Sequence, residues 1–582
     1  EICVSTSNDN VFQHVSFVNG INTIKGGKHI DYISDLICDK LIEYFNKKKI
    51  RIRKNIIKNQ LFVFVKCVIN NPSFDSQTKE TLTTKKQSFG SSCEISNQFI
   101  NKLLKIGLEK NILDIHEFDK KKEASKTDGK MKKTIYGIPK LSDANKAGTK
   151  ESIKCTLILT EGDSAKTMAI SGIPNRNYYG VFPLRGKLLN VKDSSFDKIV
   201  NNEEITNIKK ILGLKNNELY DNLDNWPLRY GKIMIMTDQD VDGSHIKGLI
   251  MNLFHSKYPN LIKNTFITCL LTPIIKATKN KNIKSFYTLQ DYEKWEKSNN
   301  VNGFKIKYYK GLGTSNTKEA KEYFNNMKLV TYNYSENCDN KIDLAFNKKR
   351  ANDRKTWLNS YDNKILDMDK KEILYSDFID KELIQFSRAD NIRSIPKLED
   401  GLKVSTRKIL YACFKKNLFE EKSEMKVSQL SGYISEHTEY HHGEVSLQGA
   451  IVNMAQDFIG SNNIPLLYPN GQFGTRLMGG KDSASSRYIF TYCKNNIKNI
   501  FIQDDNYVLD YNIEDGMKIE PKFYIPIIPM ILVNGNEGIG TGWSSYIPKH
   551  NPNDIIDLLK LKLDDKNYRE IKPWYRGFKG KI

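Results

Sequence analysis

The sequence predicts a multidomain protein of mixed α/β and α+β class, built around a parallel sheet. Two short apolar runs, residues 155–160 (CTLILT) and 232–237 (KIMIMT), are typical of strands buried on both faces, and a helical pattern follows each run. The length of 582 residues suggests about three to five domains. Hydrophobic residues form 39% of the chain, which is enough for several cores and argues against general disorder.

The chain is strongly basic, because 90 Lys and Arg against 68 Asp and Glu give a net charge of +22. This excess favours a polyanionic partner such as nucleic acid. The longest apolar stretch, residues 523–533, is interrupted by prolines and too short to cross a bilayer, so no membrane partner is expected. The start lacks the features of a secretory signal, and the 9 cysteines contain no CxxC pair, which excludes a zinc ribbon and argues against a disulfide scaffold.

The remaining segments differ in how clearly they predict local structure. Residues 119–133 hold seven lysines with no apolar face, which indicates a solvated and mobile linker. Apolar spacing and turn residues predict strands at 15–18 and 61–69, a helix at 30–45, few elements in 276–350, a mainly helical region over 371–500, and strands with turns from 501 to the end.

Acidic residues follow both buried runs at the point where each predicted strand ends. Glu161 closes the first run, and Asp238, Asp240 and Asp242 follow the second. The carboxyl ends of parallel strands share one edge of a sheet, where ligands commonly bind. Carboxylates crowded at such an edge favour a hard divalent cation, so the pattern predicts Mg²⁺ or Mn²⁺.

The acidic runs have two other interpretations. The pattern DxDxDG also opens an EF-hand loop, but that loop needs an acidic residue at its twelfth position, where this chain has Leu249, and a helix rather than a strand before it. The EF-hand is therefore excluded. Exposed acidic turns without a metal remain an alternative, although two such turns after two matching strands weaken it.

Other sites are less well defined by the residues alone. The chain has no Walker A, GxSxG or HExxH motif. His441 and His442 are adjacent and would point apart on any regular element, so a phosphate or hydrogen-bonding role is favoured over a metal pair. Tyr488 follows Arg487 and lies near Lys481, whose charges would assist a tyrosine nucleophile, but packing is the commoner role of a tyrosine.

Taken together, the motifs resemble those of type IIA DNA topoisomerases of the eukaryotic kind. The resemblance covers nearly the whole chain in order. It rests on EGDSAK (161–166), PLRGKLLNV (183–191), TDQDVDGSHI (237–246), YYKGLGTS (308–315), RSIPKLEDGLK (393–403), YHHGE (440–444), NGQFGTRLMGGKDSASSRYIFT (470–491) and ILVNGNEGIGTGW (531–543).

The resemblance implies a TOPRIM domain with a Rossmann-like parallel sheet and a winged-helix domain. The implied boundaries are the C-terminal part of a transducer domain (1–117), a lysine-rich linker (118–150), TOPRIM (151–275), a TOPRIM extension or linker (276–375), the winged-helix domain with the catalytic tyrosine (376–500) and the start of a tower domain (501–582). An ATPase domain before residue 1 and a C-gate after residue 582 are expected to be missing.

It also implies a role for each matching residue. Tyr488 matches the nucleophile that forms a 5′-phosphotyrosyl link, Arg487 a transition-state stabiliser, and His442 a hydrogen-bonding partner of the phosphate. The carried-over sets are Glu161, Asp238, Asp240 and Asp242 for metal; Arg393, Lys403, Arg407 and Asp400 for the surface that positions the cleaved strand; Lys187 and Lys481 for DNA; Ile539 for an apolar wedge that bends the duplex; and Gln77, Thr78 and Lys79 for a loop that contacts ATP.

The implied activity is Mg²⁺-dependent double-strand DNA cleavage and religation, with ATP-driven strand passage in the full-length enzyme. Two Mg²⁺ per site, replaceable by Mn²⁺ or Ca²⁺, double-stranded DNA and a homodimer are expected, in the nucleus, or in the cytoplasm or virion for a large DNA virus. The alternatives are a non-catalytic DNA-bending paralogue or fragment, and a TOPRIM nuclease or primase. Two departures from the family pattern are Val404-Ser405-Thr406 for Pro-Gly-Gln, and Ser486 where proline often precedes Arg-Tyr.

Overall fold

The computed structural model describes residues 1–7, 10–76, 78–216, 218, 220, 226–280, 282–309, 311–362, 364, 366–514 and 517–582. The chain divides into two units. One comprises Glu1–Lys130 with Thr206–Asn217, and the other comprises Met131–Ile205 with Glu218–Ile582. Over these described stretches no helix is both long and apolar enough to span a membrane.

The first unit packs one long helix on a mixed sheet of order β1-β5-β2-β3. The helix buries apolar residues at helical spacing, including Ile30, Ile37 and Phe45, against the alternate residues of β5. The helix and both strands predicted in this region are confirmed. The elements are β1 Ile2–Thr6, β2 Gln13–Val18, β3 Ile21–Asn22, β4 Gly26–Gly27, α1 Lys28–Lys47, α2 Lys54–Lys58, β5 Leu61–Cys67, β6 Thr81–Leu82, α3 Asn97–Leu103 and α4 Glu109–Ser125.

The second unit is organised by a sheet of order β15-β14-β10-β9-β7-β8. Strand β7 pairs in parallel with β8 and β9, and β9 with β10, whereas β14 runs antiparallel to β10. The two predicted buried strands are confirmed as the neighbours β7 and β9. The elements are β7 Thr156–Glu161, α5 Gly162–Gly172, β8 Tyr179–Leu184, α6 Phe196–Val200, α7 Glu203–Leu212, β9 Lys232–Met236, α8 Val241–Lys257, α9 Pro259–Lys263 and β10 Ile267–Leu271.

Residues 276–350 contain more regular structure than the sequence predicts. A three-stranded sheet of order β12-β11-β13 packs on α10 through Phe286, Tyr292 and Trp295. Its strands are short and rich in exposed lysine, which hides their alternation. The elements here are β11 Ile275–Lys279, β12 Asn282–Phe286, α10 Leu289–Ser298, β13 Lys305–Tyr308, α11 Thr317–Asn325, β14 Lys328–Asn333, α12 Cys338–Phe346, α13 Ala351–Asn359, β15 Glu372–Leu374 and α14 Tyr375–Asp377.

Three helices and a small two-stranded sheet form the winged-helix part of the unit. Helices α16, α17 and α18 pack around one apolar cluster beside the β16–β17 pair. The helical prediction holds to α18, after which residues 456–489 are largely loops. The elements are α15 Ile384–Ser394, α16 Val404–Lys415, β16 Met425–Lys426, α17 Val427–Thr438, α18 Glu444–Ala455, β17 Phe490–Thr491, α19 Ile497–Ile500, β18 Tyr511–Glu514, β19 Met517–Pro521, α20 Met530–Val533, β20 Asn536–Ile539, β21 Ser544–Ile547 and α21 Pro552–Leu563.

The expected linker at 118–150 needs correction. Helix α4 continues to Ser125, so the lysine-rich run begins inside a helix. Farther on, Ser142 forms a bridge with Val181 of β8, and Ala144 is buried. The Arg229 side chain, fully buried, donates to the Lys132 carbonyl at 2.6 Å. Part of this segment is therefore packed on the sheet rather than solvated.

The packing of this segment predicts the effect of Gly180→Ala. A Cβ at residue 180 would lie 2.1 Å from the Tyr230 hydroxyl, which bonds Asp143 and accepts from the Ala144 amide. Displacing that hydroxyl should destabilise the unit by about 2–3 kcal/mol and expose residues 131–145 to protease. Thermal unfolding with limited proteolysis measures both effects, with Gly432→Ala, whose Cβ would meet open space, as control. An unchanged midpoint and digestion pattern would contradict this packing.

Candidate active site

The two acidic turns lie side by side because their strands are neighbours. Glu161 ends β7, and Gly162 turns the chain into α5 with a positive φ of 77°, which glycine adopts without strain. Asp238 follows β9, and its amide donates to Glu161 Oε2 at 3.2 Å. The sheet edge therefore brings together the acidic residues that the sequence predicts to be close.

Burial and mutual repulsion act on both carboxyl groups. Burial, with the neighbouring Asp238 charge, raises the pKa of Glu161 to about 7. Burial also raises the pKa of Asp238, although the Leu312 amide opposes this by donating to Asp238 Oδ1 at 2.7 Å. A Cβ on Gly311 would lie 2.8 Å from Asp238 Oδ2, so the close approach of this loop requires glycine. The sequence gives the motif but not this contact.

Asp240 acts as the N-cap of α8. Its carboxylate accepts from the Gly243 amide at 2.7 Å, and a Cβ on Gly243 would lie 2.0 Å from the Asp238 carbonyl oxygen. The glycine after the third aspartate is therefore required for the turn, as its position predicts. This cap fixes Asp240 at the start of the helix, beside the other two carboxyl groups.

Asp242 is held by two cations. Lys187 Nζ lies 2.8 Å from Asp242 Oδ1, and Arg393 Nη1 lies 2.8 Å from Oδ2. Burial alone would raise the pKa of Asp242, but hydrogen bonds from Arg393 and Lys187 hold it well below its usual range. Both cations also lie over the Phe386 ring, on which His245 stacks at 3.9 Å between ring centres. Phe386 and His245 are supporting residues that the sequence did not identify.

The donor set fits a hard divalent cation only in part. Within the described residues, no three His, Cys, Asp or Glu side chains form a group that could hold a metal, and Asp242 is engaged by Lys187 and Arg393. Mg²⁺, however, is commonly bound by one or two carboxylates, with substrate phosphate and water completing its shell. The adjacent carboxyl groups of Glu161 and Asp238, both with raised pKa, supply such oxygens and a local negative charge that a cation would relieve.

Tyr488 lies on the surface with Arg487 beside it. Its side chain is 71% exposed, and the Arg487 guanidinium carbon is 5.6 Å from the ring centre. Lys481 is exposed on the same loop. Across the described part of the chain, no hydrogen bond or ion pair joins Tyr488 or Arg487 to the acidic turns. One copy of the chain therefore does not bring the predicted nucleophile into contact with the predicted metal ligands.

The loop before Tyr488 is shaped by two polar side chains that the sequence did not single out. Gln456 is buried, and its Nε2 donates to the carbonyls of Phe473 and Gly480 at 2.9 and 3.2 Å. Asp482 accepts from the Thr475 amide at 2.8 Å. These bonds close the loop on itself and fix the backbone that leads to the tyrosine.

Asp400 and Arg407 require a correction. The sequence predicts that both belong to a DNA-contacting surface, but they are 0% and 3% exposed. Arg407 binds both Asp400 oxygens, at 2.6 and 2.9 Å, and the Tyr524 amide donates to Asp400 at 3.0 Å. The pair is enclosed by protein and is structural in this conformation. Lys403, also assigned to that surface, donates instead to the Glu537 carbonyl at 2.8 Å.

Ile539 stands at the end of a hairpin that rests on α15. Its side chain is 74% exposed. A Cβ on Gly538 would lie 2.5 Å from the Ser394 carbonyl oxygen, and one on Gly540 would lie 2.1 Å from Asn391 Oδ1. The flanking glycines therefore let the hairpin backbone touch the helix while Ile539 points to solvent, as an apolar wedge requires.

The remaining predicted residues lie in two places. His442 is exposed, packs edge-on against Tyr440 at 5.4 Å, and has a pKa lowered by partial desolvation and by the Arg393 guanidinium. In the other unit, Lys79 has a positive φ of 58°, and its Nζ lies 5.9 Å from the Phe74 ring centre, while Thr78 bonds Ser76 at 2.7 Å. Gln77 lies outside the described residues.

The buried pair predicts a large stability effect for Asp400→Ala. Removing the carboxylate leaves the Arg407 charge buried without its partner, which should cost about 3–5 kcal/mol in the free energy of unfolding. Asp564→Ala breaks an exposed ion pair with Lys566 and should change stability by no more than about 0.5 kcal/mol. Chemical denaturation compares the two variants. Weaker DNA binding by Asp400→Ala at unchanged stability would restore the surface role.

The raised pKa of Glu161 predicts a pH-dependent effect of Glu161→Gln in the presence of chelator. Since the folded state favours the protonated acid, wild type loses stability as pH rises from the unfolded value of 4.5 through about 7. Glutamine should therefore add about 1–3 kcal/mol at about pH 8, and this gain should shrink towards pH 4.5. Unfolding free energies across pH test it, with the exposed Glu570→Gln as control. A gain independent of pH would contradict the prediction.

Comparison with known families matches the chain in four consecutive parts. The matching models describe DNA gyrase B (residues 1–132), the Toprim domain (156–273), the C-terminal associated domain of TOPRIM (270–391), and DNA gyrase/topoisomerase IV (393–582). The acidic turns lie in the second part, whereas Tyr488 and Ile539 lie in the fourth.

Curated relatives and a solved structure agree with this assignment. DNA topoisomerase 2 of Arabidopsis thaliana is 52% identical over 100% of this chain and 40% of the relative, and that of Saccharomyces cerevisiae is 51% identical over 98% and 40%. The chain thus spans about 40% of the length of these relatives. The crystal structure of the Plasmodium falciparum topoisomerase II DNA-binding, cleavage and re-ligation domain is 52% identical with a TM-score of 0.66, covering 78% of this chain and 62% of that chain. The chain belongs to the type II DNA topoisomerase family.

Proposed function

We propose that this chain carries the DNA cleavage and religation centre of a type II DNA topoisomerase. The observation that carries the proposal is the surface tyrosine, Tyr488, with its adjacent Arg487, in a chain whose sheet edge presents Glu161, Asp238 and Asp240. The similar solved structure is itself described as a DNA-binding, cleavage and re-ligation domain, which supports the same reaction.

The proposed reaction is a phosphoryl transfer. Tyr488 Oη attacks the phosphorus of a DNA phosphodiester, the bond from phosphorus to the 3′ oxygen breaks, and the tyrosine proton passes to solvent while the 3′ oxygen takes one up. The products are a 5′-phosphotyrosyl link and a free 3′ hydroxyl. Because one ester replaces another, the reverse step rejoins the strand without a further energy source.

Positioning and charge neutralisation account for most of the catalysis in such a transfer. Arg487 is placed to stabilise the charge that develops on the phosphate, and His442 and Arg393 supply further hydrogen bonds to it. Lys403 lies near this surface but is tied to the hairpin backbone. Asp400 and Arg407 contribute by holding the domain together, and Lys481 and Lys187 add positive charge for DNA.

Glu161, Asp238 and Asp240 are the residues that would hold the divalent cation. We assign Mg²⁺ to this place, two per site, with Mn²⁺ or Ca²⁺ as substitutes, because the donors are carboxylate oxygens. The bound ion would supply positive charge beside the leaving 3′ oxygen. Asp242 orients Arg393 and Lys187 through its two ion pairs.

The whole enzyme is proposed to act as a homodimer in the nucleus. Tyr488 makes no direct described contact with the acidic turns of its own chain, so we assign the pairing of nucleophile and metal ligands to two copies. ATP-driven passage of a second duplex is assigned to the whole enzyme, in which Gln77, Thr78 and Lys79 would contact ATP.

Double-stranded DNA is the proposed substrate. The net charge of +22 supplies affinity that does not depend on sequence and weakens with salt. Ile539 would enter a base step and bend the duplex, so sequence preference should be weak and should follow DNA bendability. A non-catalytic DNA-bending protein would also use Ile539, but it would not need an exposed tyrosine beside an arginine.

The deciding experiment follows covalent attachment to DNA. Supercoiled plasmid incubated with the protein and Mg²⁺, then stopped with detergent, should yield a protein–DNA adduct. Tyr488→Phe should lower adduct formation by at least about 1000-fold and leave DNA affinity unchanged, because it removes only the attacking oxygen. The matched control is Tyr507→Phe, a change at a tyrosine that is 91% exposed and has no proposed role.

Two results would count against the proposal. Adduct formation by Tyr488→Phe would show that another residue is the nucleophile. Cleavage without any adduct would favour a TOPRIM nuclease that transfers the phosphate to water.

A further inference from the structure

Tyr488 is the last residue of a tight turn. Its amide donates to the Ser485 carbonyl at 2.9 Å, which closes a β-turn over residues 485–488. Ser486 therefore occupies the second position of this turn, and Arg487 the third. Proline is favoured at the second position because its ring fixes φ near about −65° in advance. A serine there needs another source of rigidity.

The side chain of Ser486 reaches a neighbouring helix. Its hydroxyl bonds Gln448 Oε1 on α18 at 2.7 Å, and its carbonyl accepts from the Ser428 amide on α17 at 3.1 Å. The corner of the turn is thus attached to two helices of the winged-helix core. No other described hydrogen bond fixes the side chains of Arg487 or Tyr488, so their positions follow from the turn.

The hydrogen bonds around Gln448 have one consistent direction. Its Nε2 donates to Glu444 Oε1 at 2.7 Å and approaches Ser431 Oγ at 3.3 Å. An ionised carboxylate can only accept, so the amide nitrogen faces Glu444 and the amide oxygen faces Ser486. The Ser486 hydroxyl must then donate, which fixes its orientation.

We propose that Gln448 is a positioning residue for DNA cleavage. Through Ser486 it restrains the turn in place of a proline, and so it sets where Tyr488 Oη and the Arg487 guanidinium stand relative to the scissile phosphate. This role rests on the proposed function, since it needs Tyr488 to be the nucleophile.

The location of the bond separates this role from a contribution to stability. Gln448 and Ser486 are only partly buried, so losing one hydrogen bond between them costs the fold little. The geometry of attack is far more sensitive, because displacement of a nucleophile by a fraction of an ångström slows a transfer markedly. The effect should therefore appear in the rate of cleavage and not in the thermal midpoint.

The first test measures single-turnover adduct formation on a duplex oligonucleotide with Mg²⁺. Gln448→Leu and Ser486→Ala should each lower the rate about 3- to 10-fold, the equivalent of one hydrogen bond, with unchanged DNA affinity and thermal midpoint. Because both changes remove the same bond, the double variant should be no slower than either single variant. Ser435→Ala, which removes a bond within α17 only, should match wild type.

The second test is rescue by proline. Within the described residues the Ser486 amide makes no hydrogen bond, so Ser486→Pro removes none and supplies the φ restraint directly. Added to Gln448→Leu, it should restore the wild-type rate, which a purely structural role for Gln448 does not predict.

Three results would overturn the assignment: an unchanged rate for Gln448→Leu, additive losses in the double variant, or no rescue by proline. Absence of adduct with wild type as well as Ser435→Ala is a different failure. It would reject the proposed function itself and the role of Gln448 with it.

Discussion

The ion pair between Arg393 and Asp242 connects the acidic edge of the sheet to the helical part of the second unit. Arg393 ends α15, and Asp242 lies in the first turn of α8. The same helix carries Asn391, whose side chain donates to the Thr541 carbonyl at 3.0 Å and so holds the hairpin that bears Ile539. Partly buried, charge-assisted bonds of this kind contribute about 1.5–3 kcal/mol each. The positions of the acidic turns and of the hairpin therefore depend on one charged contact.

The central sheet and the acidic turns are predictable because their physical causes are local. Residues 157–159 of β7 and 233–236 of β9 are apolar on both faces, and each strand ends where a carboxylate follows. The three-stranded sheet at 275–308 is not predictable in the same way. Its apolar faces are narrow, and lysines such as Lys279 and Lys284 interrupt the alternation that identifies a strand.

Site residues divide along the same line. Glu161, Asp238 and Tyr488 were identified because their side chains would perform the chemistry. The motif that contains Asp400 and Arg407 does not reveal that they face each other inside the protein, since burial is decided by Tyr524, which lies over 100 residues away in the chain. The contacts of Gly311 with Asp238 and of Gln456 with the 473–480 loop likewise join distant segments, and no local pattern encodes them.

The two glycines beside Ile539 give the hairpin a mechanical property. With no side chain between the Gly538–Gly540 backbone and α15, there is no soft layer that could deform under load. A duplex leaning on Ile539 would press on the helix directly, and that helix ends in the arginine that grips the acidic turn. The hairpin and α15 behave as a lever with a short arm, through which the stiffness of the DNA is transmitted to the metal-binding edge.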